Sequence, residues 1–161
     1  MSYPIIAGAG MVPFRKPGTS DTYDVMGANA IRRTLEDAGI DYKDVEQAYA
    51  GFVHGDSCSG QAALYNVGIT GIPIMNVNNM CASGSSAFYL AAQAVRTGAV
   101  ECALAVGFEE MSRGAIKSTY PDKVSPINRH AQVLIDLFDV PEEDLQVPRV
   151  CKNSVLMLIP L

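Results

Sequence analysis

The sequence has few metal-binding side chains, little positive charge and only short hydrophobic runs. Its two histidines are His54 and His130, and its four cysteines include no Cys-x-x-Cys pair, so a zinc site is not expected. The 161 residues carry 12 Lys and Arg against 17 Asp and Glu, which argues against a nucleic-acid partner or a polybasic membrane surface. No apolar run approaches the roughly 20 residues that span a bilayer, so no transmembrane segment is predicted.

The chain opens without a basic segment followed by a longer apolar stretch, so no signal peptide is predicted. The cysteines are therefore expected to be reduced thiols inside the cell. What the sequence does contain is 48% hydrophobic and 18% charged residues, typical of a globular protein. The length suits one core domain with an appendage.

Short apolar segments alternate with helical patterns over the first two thirds of the chain. Strands are predicted at residues 4–10, 47–53, 71–77 and 102–108, and helices at residues 21–38, 61–67 and 81–97. Asp21 is expected to cap the first helix and Gly39 to end it. Because Arg96 is the only charged residue of the third helix, this helix is expected to be buried on every side. The order predicts an α/β fold with a mixed, mainly parallel sheet.

Three regions are predicted from the change in character along the chain. Residues 1–112 form the core domain, and residues 113–146, with scattered basic residues and prolines, form part of a loop domain. Residues 147–161 are a divergent tail that ends in apolar residues and has no evident partner strand.

Cys81 lies where the third predicted strand turns into the third predicted helix. Free backbone N–H groups at a helix start stabilise a thiolate, so Cys81 is the candidate nucleophile. In parallel sheets, sites gather at the carboxyl ends of the strands, where Cys81 falls. Cys102 lies in a buried strand and Cys58 in a turn-rich loop, so neither is expected to be catalytic.

Several motifs in their order along the chain resemble the amino-terminal half of the thiolase superfamily, and within it the sterol carrier protein x type of 3-ketoacyl-CoA thiolase. The motifs are Ala-Gly-Ala-Gly-Met at 7–11, Gly-Phe-Val-His-Gly-Asp-Ser at 51–57, the segments 70–74 and 76–81, and the segments 98–102 and 107–112. The resemblance implies a thiolase-like fold, one β-α-β-α-β-α-β half with a buried central helix.

The resemblance also implies an acyltransferase of lipid, fatty acid or sterol side-chain metabolism. Cys81 is expected to take an acyl group from a coenzyme A thioester, and coenzyme A or a second acyl unit then resolves the acyl-cysteine. A thiolate is both a good nucleophile toward a thioester and a comparable leaving group. No bound cofactor or metal is expected, and the coenzyme A thioester is the substrate.

Other site residues are expected beside the nucleophile and in the loop region. Turn and oxyanion support is assigned to Asn78, Asn79, Ala82, Ser83 and Gly84, whose small members also leave room for an acyl chain. Arg113 and Lys117 are candidate contacts for coenzyme A phosphates. A packing role is expected for His54.

The family's base, its oxyanion histidine and its second cysteine come from a homologous second half that this sequence lacks. The chain is therefore expected to be truncated and inactive alone. The resemblance implies the peroxisome, although Ile159-Pro160-Leu161 is not a peroxisomal signal, and the cytoplasm is otherwise expected.

Two alternatives stay open. The chain could be a non-catalytic isoform that associates with a full-length thiolase, as the family's homodimers do, through a surface around residues 69–77. It could also be a ketoacyl synthase-like condensing enzyme, which shares a cysteine at a buried helix start.

Overall fold

The structure, a computed structural model, describes residues 3–112 and the backbone of residues 154–160. Its elements are β1 (Pro4–Met11), α1 (Tyr23–Ala38), β2 (Gln47–Gly51), α2 (Ser59–Tyr65), β3 (Ile74–Val77), α3 (Ser83–Arg96), β4 (Ala103–Gly107) and β5 (Ser154–Pro160). A short 3-10 helix, Tyr42–Asp44, precedes β2. The predicted α/β alternation is confirmed, with element ends shifted by a few residues.

The five strands form one sheet in the order β1-β5-β4-β2-β3. Strand β2 pairs in parallel with both β3 and β4. Strand β5 pairs antiparallel with both β1 and β4, so β1 runs in the same direction as β4. The prediction of a mixed, mainly parallel sheet is confirmed.

The prediction that the tail has no partner strand is wrong. Residues 154–160 form β5, with Leu158 opposite Ile6 on one side and Ala103 on the other. The tail contains a continuous apolar run from Val155 to Ile159, which is typical of a strand inside a sheet. The described residues 3–111 and 154–160 belong to one compact unit. The predicted loop domain at 113–146 lies outside the described residues.

The sheet separates two apolar cores because successive strand residues point to opposite faces. The core shared with α1 and α2 contains Ile31, Ala48, Ala50, Leu64, Leu104 and Val106. The core shared with α3 contains Tyr49, Ala87, Ala91, Val95, Ala103 and Ala105. The described elements therefore form three layers, with helices on both faces of the sheet.

Helix α3 buries only one of its faces within the described part of the chain. Ala87, Ala91 and Val95 are almost fully buried at helical spacing against the sheet. Tyr89, on the opposite face, is 65% exposed. The expectation of burial on every side thus holds for one face only, because the low charge of this helix does not itself supply a second packing layer.

Helix α1 begins differently from the prediction. Thr22, not Asp21, occupies the N-cap position and makes no side-chain capping hydrogen bond. Instead, the Tyr23 N–H donates to Glu110 Oε2 at 2.9 Å, so a carboxylate distant in sequence satisfies the helix start. The predicted stop is confirmed, because Gly39 has φ +66° and adopts the left-handed conformation that suits glycine after a helix.

Candidate active site

Three parallel strands end at the same edge of the sheet. Strands β2, β3 and β4 end at Gly51, Val77 and Gly107, and the segments that follow lie at this carboxyl edge. Cys81 lies in the turn after β3, between the strand and α3. The geometry therefore brings Cys81 to the edge of the sheet where parallel α/β folds gather their sites.

Cys81 is exposed and precedes the helix proper. Helix α3 begins at Ser83 with Ala82 at the N-cap, two residues later than predicted. Ala82 has no side chain that can cap the helix, and no side-chain capping hydrogen bond is formed. The Ala82 and Ser83 N–H groups donate to the Asn79 and Met80 carbonyls, so what the start of α3 offers Cys81 is the positive end of the helix dipole.

Both predicted asparagines bond within the turn. Asn78 Oδ1 accepts a hydrogen bond from the Met80 N–H at 3.2 Å. Asn79 Nδ2 donates to Ser86 Oγ at 2.9 Å, and the Asn79 carbonyl accepts from the Ala82 N–H at 3.0 Å. These bonds tie the end of β3 to the first turn of α3.

Met80 is the unusual backbone position of this turn. Its φ of +49° makes it the one non-glycine residue with positive φ among the described residues. Its side chain is 52% exposed, so packing against the core does not hold it. Sequence reasoning gave no signal for this conformation, because methionine rarely adopts it.

Ser83 is 4% exposed, so it is buried under the turn. Its hydroxyl accepts from the Asn79 N–H at 2.8 Å and donates to the Met80 carbonyl at 2.7 Å. The Ser83 N–H donates to the same carbonyl at 3.1 Å. The residue expected to leave space for an acyl chain is therefore bonded to the turn.

Gly51 and Gly84 have contrasting surroundings. A Cβ on Gly51 would lie 2.4 Å from the Ser83 carbonyl oxygen and 2.8 Å from the Gly84 nitrogen, so β2 touches the backbone of the helix start. A Cβ on Gly84 would meet nothing within 4 Å, so the side of the helix at Gly84 is open. Ala82 is half-buried beside it.

Glu109 follows β4 at the carboxyl edge of the sheet, and sequence reasoning missed its role. Its carboxylate accepts from the Val53 N–H at 2.9 Å, from the His54 N–H at 2.7 Å and contacts His54 Nδ1 at 2.9 Å. The Glu109 side chain is 14% exposed. One signal could have indicated this role: the acidic pair at 109–110 comes directly after the buried strand β4. The ends of neighbouring parallel strands lie at the same edge, so this pair lies near the loop that follows β2. Glu109 fastens that loop to the end of β4.

Cys102 differs sharply from Cys81, whereas Cys58 shares its exposure. Burial, with smaller contributions from Glu46 and Asp44, raises the pKa of the Cys102 thiol to about 11, which keeps it protonated and unreactive at neutral pH. Cys58 is exposed at the N-cap position of α2. The candidate phosphate contacts Arg113 and Lys117 lie outside the described residues.

The described residues hold neither a metal-binding cluster nor a membrane-spanning helix. In that part of the chain no three or more His, Cys, Asp or Glu side chains are grouped so that they could hold a metal ion. No helix within it is long and apolar enough to cross a membrane.

Comparison with known proteins gives a consistent match. Residues 4–139 match the family described as thiolase, N-terminal domain. The chain is 46% identical to sterol carrier protein 2 of Oryctolagus cuniculus over 136 residues. This aligned region covers 83% of this chain and 25% of that protein. The chain is 40% identical to an acetyl-CoA acetyltransferase of Pseudomonas aeruginosa over 91 residues. This second aligned region covers 54% of this chain and 23% of that protein.

A solved structure shares the fold. The acetyl-CoA acetyltransferase from Syntrophomonas wolfei superimposes with a TM-score of 0.64 at 19% identity, over 78% of this chain and 33% of that one. The chain spans about a quarter of the length of the curated relatives it matches.

Proposed function

Because this chain belongs to the thiolase family through its amino-terminal domain, we propose that it carries the nucleophile part of an acyl-CoA acyltransferase site, with Cys81 as the acyl acceptor. The observation that carries the proposal is the exposed thiol of Cys81 in the turn between β3 and α3, at the carboxyl edge of the sheet. The acetyl-CoA acetyltransferase relative supports the reaction class.

The chemistry is a thiol exchange. The Cys81 sulfur attacks the thioester carbonyl carbon, the new carbon–sulfur bond forms, and the bond to the coenzyme A sulfur breaks. The thiol proton ends on the departing coenzyme A thiolate. The positive end of the α3 dipole lies next to Cys81 and favours the negative charge that develops on the carbonyl oxygen.

The residues around Cys81 have separate proposed roles. Asn78, Asn79 and Ser83 hold the turn through the hydrogen bonds described above. Ala82 and Gly84 leave the helix start accessible, since a Cβ at Gly84 meets open space. Arg113 and Lys117 remain the proposed contacts for coenzyme A phosphates.

Acyl transfer is tested by incubating the chain with acetyl-CoA and reading intact mass together with released coenzyme A. We expect one acetyl group on Cys81 and no sustained turnover, because the resemblance assigns the base and the second cysteine to a second half of the family's fold. Cys81→Ser is the control, since it removes the thiol with little change in size. Absence of the acetyl group from Cys81 refutes the acyl-acceptor role, and sustained release above the control refutes inactivity.

A second candidate function is association with a full-length thiolase. It is favoured by the position of β3, which among the described strands pairs only with β2, and by the 82% exposure of Ile69 in the segment before β3. Co-purification with a full-length thiolase that Ile69→Lys abolishes and Cys81→Ala leaves intact supports this function. Equal recovery with Ile69→Lys argues against this surface.

The family match favours a thiolase over a ketoacyl synthase-like condensing enzyme. A role in lipid metabolism and a peroxisomal location follow from the same resemblance and remain part of the proposal.

A further inference from the structure

The residue directly before the proposed nucleophile has a costly backbone conformation. Met80 has φ +49°, and a side chain with a Cβ is disfavoured in the left-handed region. Such a conformation persists only where the surrounding structure holds it. The half-exposed Met80 side chain does not do so, which leaves its backbone groups as the points of attachment.

The Ser83 side chain supplies that attachment from below the turn. Its hydroxyl bonds both to the Asn79 N–H and to the Met80 carbonyl, the groups on either side of the strained residue. The Ser83 N–H adds a second bond to the Met80 carbonyl. Because Ser83 is 4% exposed, water does not readily replace these bonds.

Ser83 is itself held in place by β2. The missing side chain of Gly51 allows its Cα to approach the Ser83 carbonyl so closely that an added Cβ would lie 2.4 Å away. Gly51 is fixed in turn, because its carbonyl accepts from the Phe108 N–H at 3.2 Å and its strand pairs on both sides. The serine hydroxyl therefore connects the rigid sheet to the turn.

We propose that Ser83 is a positioning residue whose hydroxyl holds Met80 in the left-handed conformation and thereby fixes the Cys81 thiol at the start of α3. The inference rests on the proposed function only for the importance of Cys81. Its test measures the reactivity of the Cys81 thiol directly. The positioning role of Ser83 can therefore be refuted while acyl transfer from acetyl-CoA is observed, and it can be supported while no acyl transfer is observed.

The experiment measures the rate at which iodoacetamide alkylates Cys81 in the full chain, resolved from Cys58 by peptide fragmentation. Ser83→Ala removes both hydroxyl bonds and leaves the Met80 carbonyl with the Ser83 N–H alone, so it is expected to lower this rate about three- to tenfold. Ser83→Thr keeps the hydroxyl and is expected to restore the rate. Ser85→Ala is the matched control, because Ser85 is exposed on the same helix turn.

Variants of Met80 separate positioning from general destabilisation. Glycine adopts the left-handed region freely, so in a Met80→Gly background the Ser83→Ala change is expected to lose most of its effect on the alkylation rate. Met80→Val places a β-branched side chain at positive φ and is expected to slow alkylation with Ser83 intact. This second variant keeps the test valid if Ser83→Ala does not fold.

Two outcomes overturn the proposal. One is an alkylation rate for folded Ser83→Ala equal to that of Ser85→Ala. The other is an undiminished effect of Ser83→Ala in the Met80→Gly background, which makes the serine a structural residue without a role at Met80.

Discussion

The contact between Gly51 and the start of α3 gives the sharpest prediction for stability. In Gly51→Ala the new Cβ would lie 2.4 Å from the Ser83 carbonyl oxygen, whereas ordinary contacts lie at 3.4–4 Å. Both neighbours of the Cβ, the Ser83 carbonyl and the Gly84 nitrogen, are backbone atoms, so no side-chain rotation can relieve the overlap. The helix start and the strand must separate by about 1 Å, a small-to-large change of the kind that costs about 1–3 kcal/mol.

Urea unfolding followed by circular dichroism measures this cost, since the chain has no tryptophan for fluorescence. With a urea dependence of about 1–3 kcal/mol per molar, the midpoint is expected to fall by about 1 M. Gly84→Ala is the matched control at the other side of the same contact, because its Cβ meets open space. Alanine also favours a helix, so the control is expected to gain up to about 1 kcal/mol.

The reasoning is refuted if Gly51→Ala unfolds at the midpoint of the unchanged chain. An equal loss in Gly84→Ala also refutes it, because the cost then comes from any added methyl near the turn and not from the backbone contact.

Two further predictions concern Cys102 and Glu109. The folded pKa of Cys102, about 11, exceeds the ordinary value of 9.0, so its contribution to stability is complete below pH 9 and falls by roughly 2 kcal/mol as the pH rises to 11. Unfolding free energies measured from pH 8 to pH 11 should therefore decline more steeply than in Cys102→Ala. Glu109→Ala leaves two backbone N–H donors without their carboxylate, so it is expected to cost about 2–4 kcal/mol and to speed proteolysis of the 52–58 segment.

The predictions for Cys102 and Glu109 each have their own control. Burial also raises the pKa of Tyr42 and Tyr49, and Cys102→Ala retains both tyrosines, so only the difference between the two pH profiles reports on Cys102. Parallel profiles contradict the assignment. For Glu109, the matched variant is Glu36→Ala on the exposed face of α1, and equal proteolysis of the two variants contradicts the fastening role.

Much of the fold was predictable because its signals are local. Apolar runs, helical stripes and glycine at helix ends depend on a few neighbouring residues, and they located β1 to β4 and α1 to α3. The strand β5 was missed although its apolar run is also local. Its partners, β1 and β4, are far away in the sequence, and an apolar run does not itself indicate which strands it pairs with.

The candidate site was predictable in position and less so in its contacts. The junction of strand and helix indicated Cys81 and the asparagines of the turn. The capping of α1 by Glu110 and the fastening of the 52–58 segment by Glu109 join residues more than 50 positions apart. No local pattern reports such pairs, because they depend on which strand ends meet at one edge of the sheet.

The sequence by itself determined that a cysteine follows a buried strand and precedes a helix, since chain order and hydrophobic periodicity are properties of the linear sequence. The tertiary structure alone decided that the helix begins two residues later, that Met80 lies at positive φ, and that Ser83 is buried beneath it. The physical reason is the close approach of Gly51 to the helix start, a contact between two segments that only the folded sheet brings together.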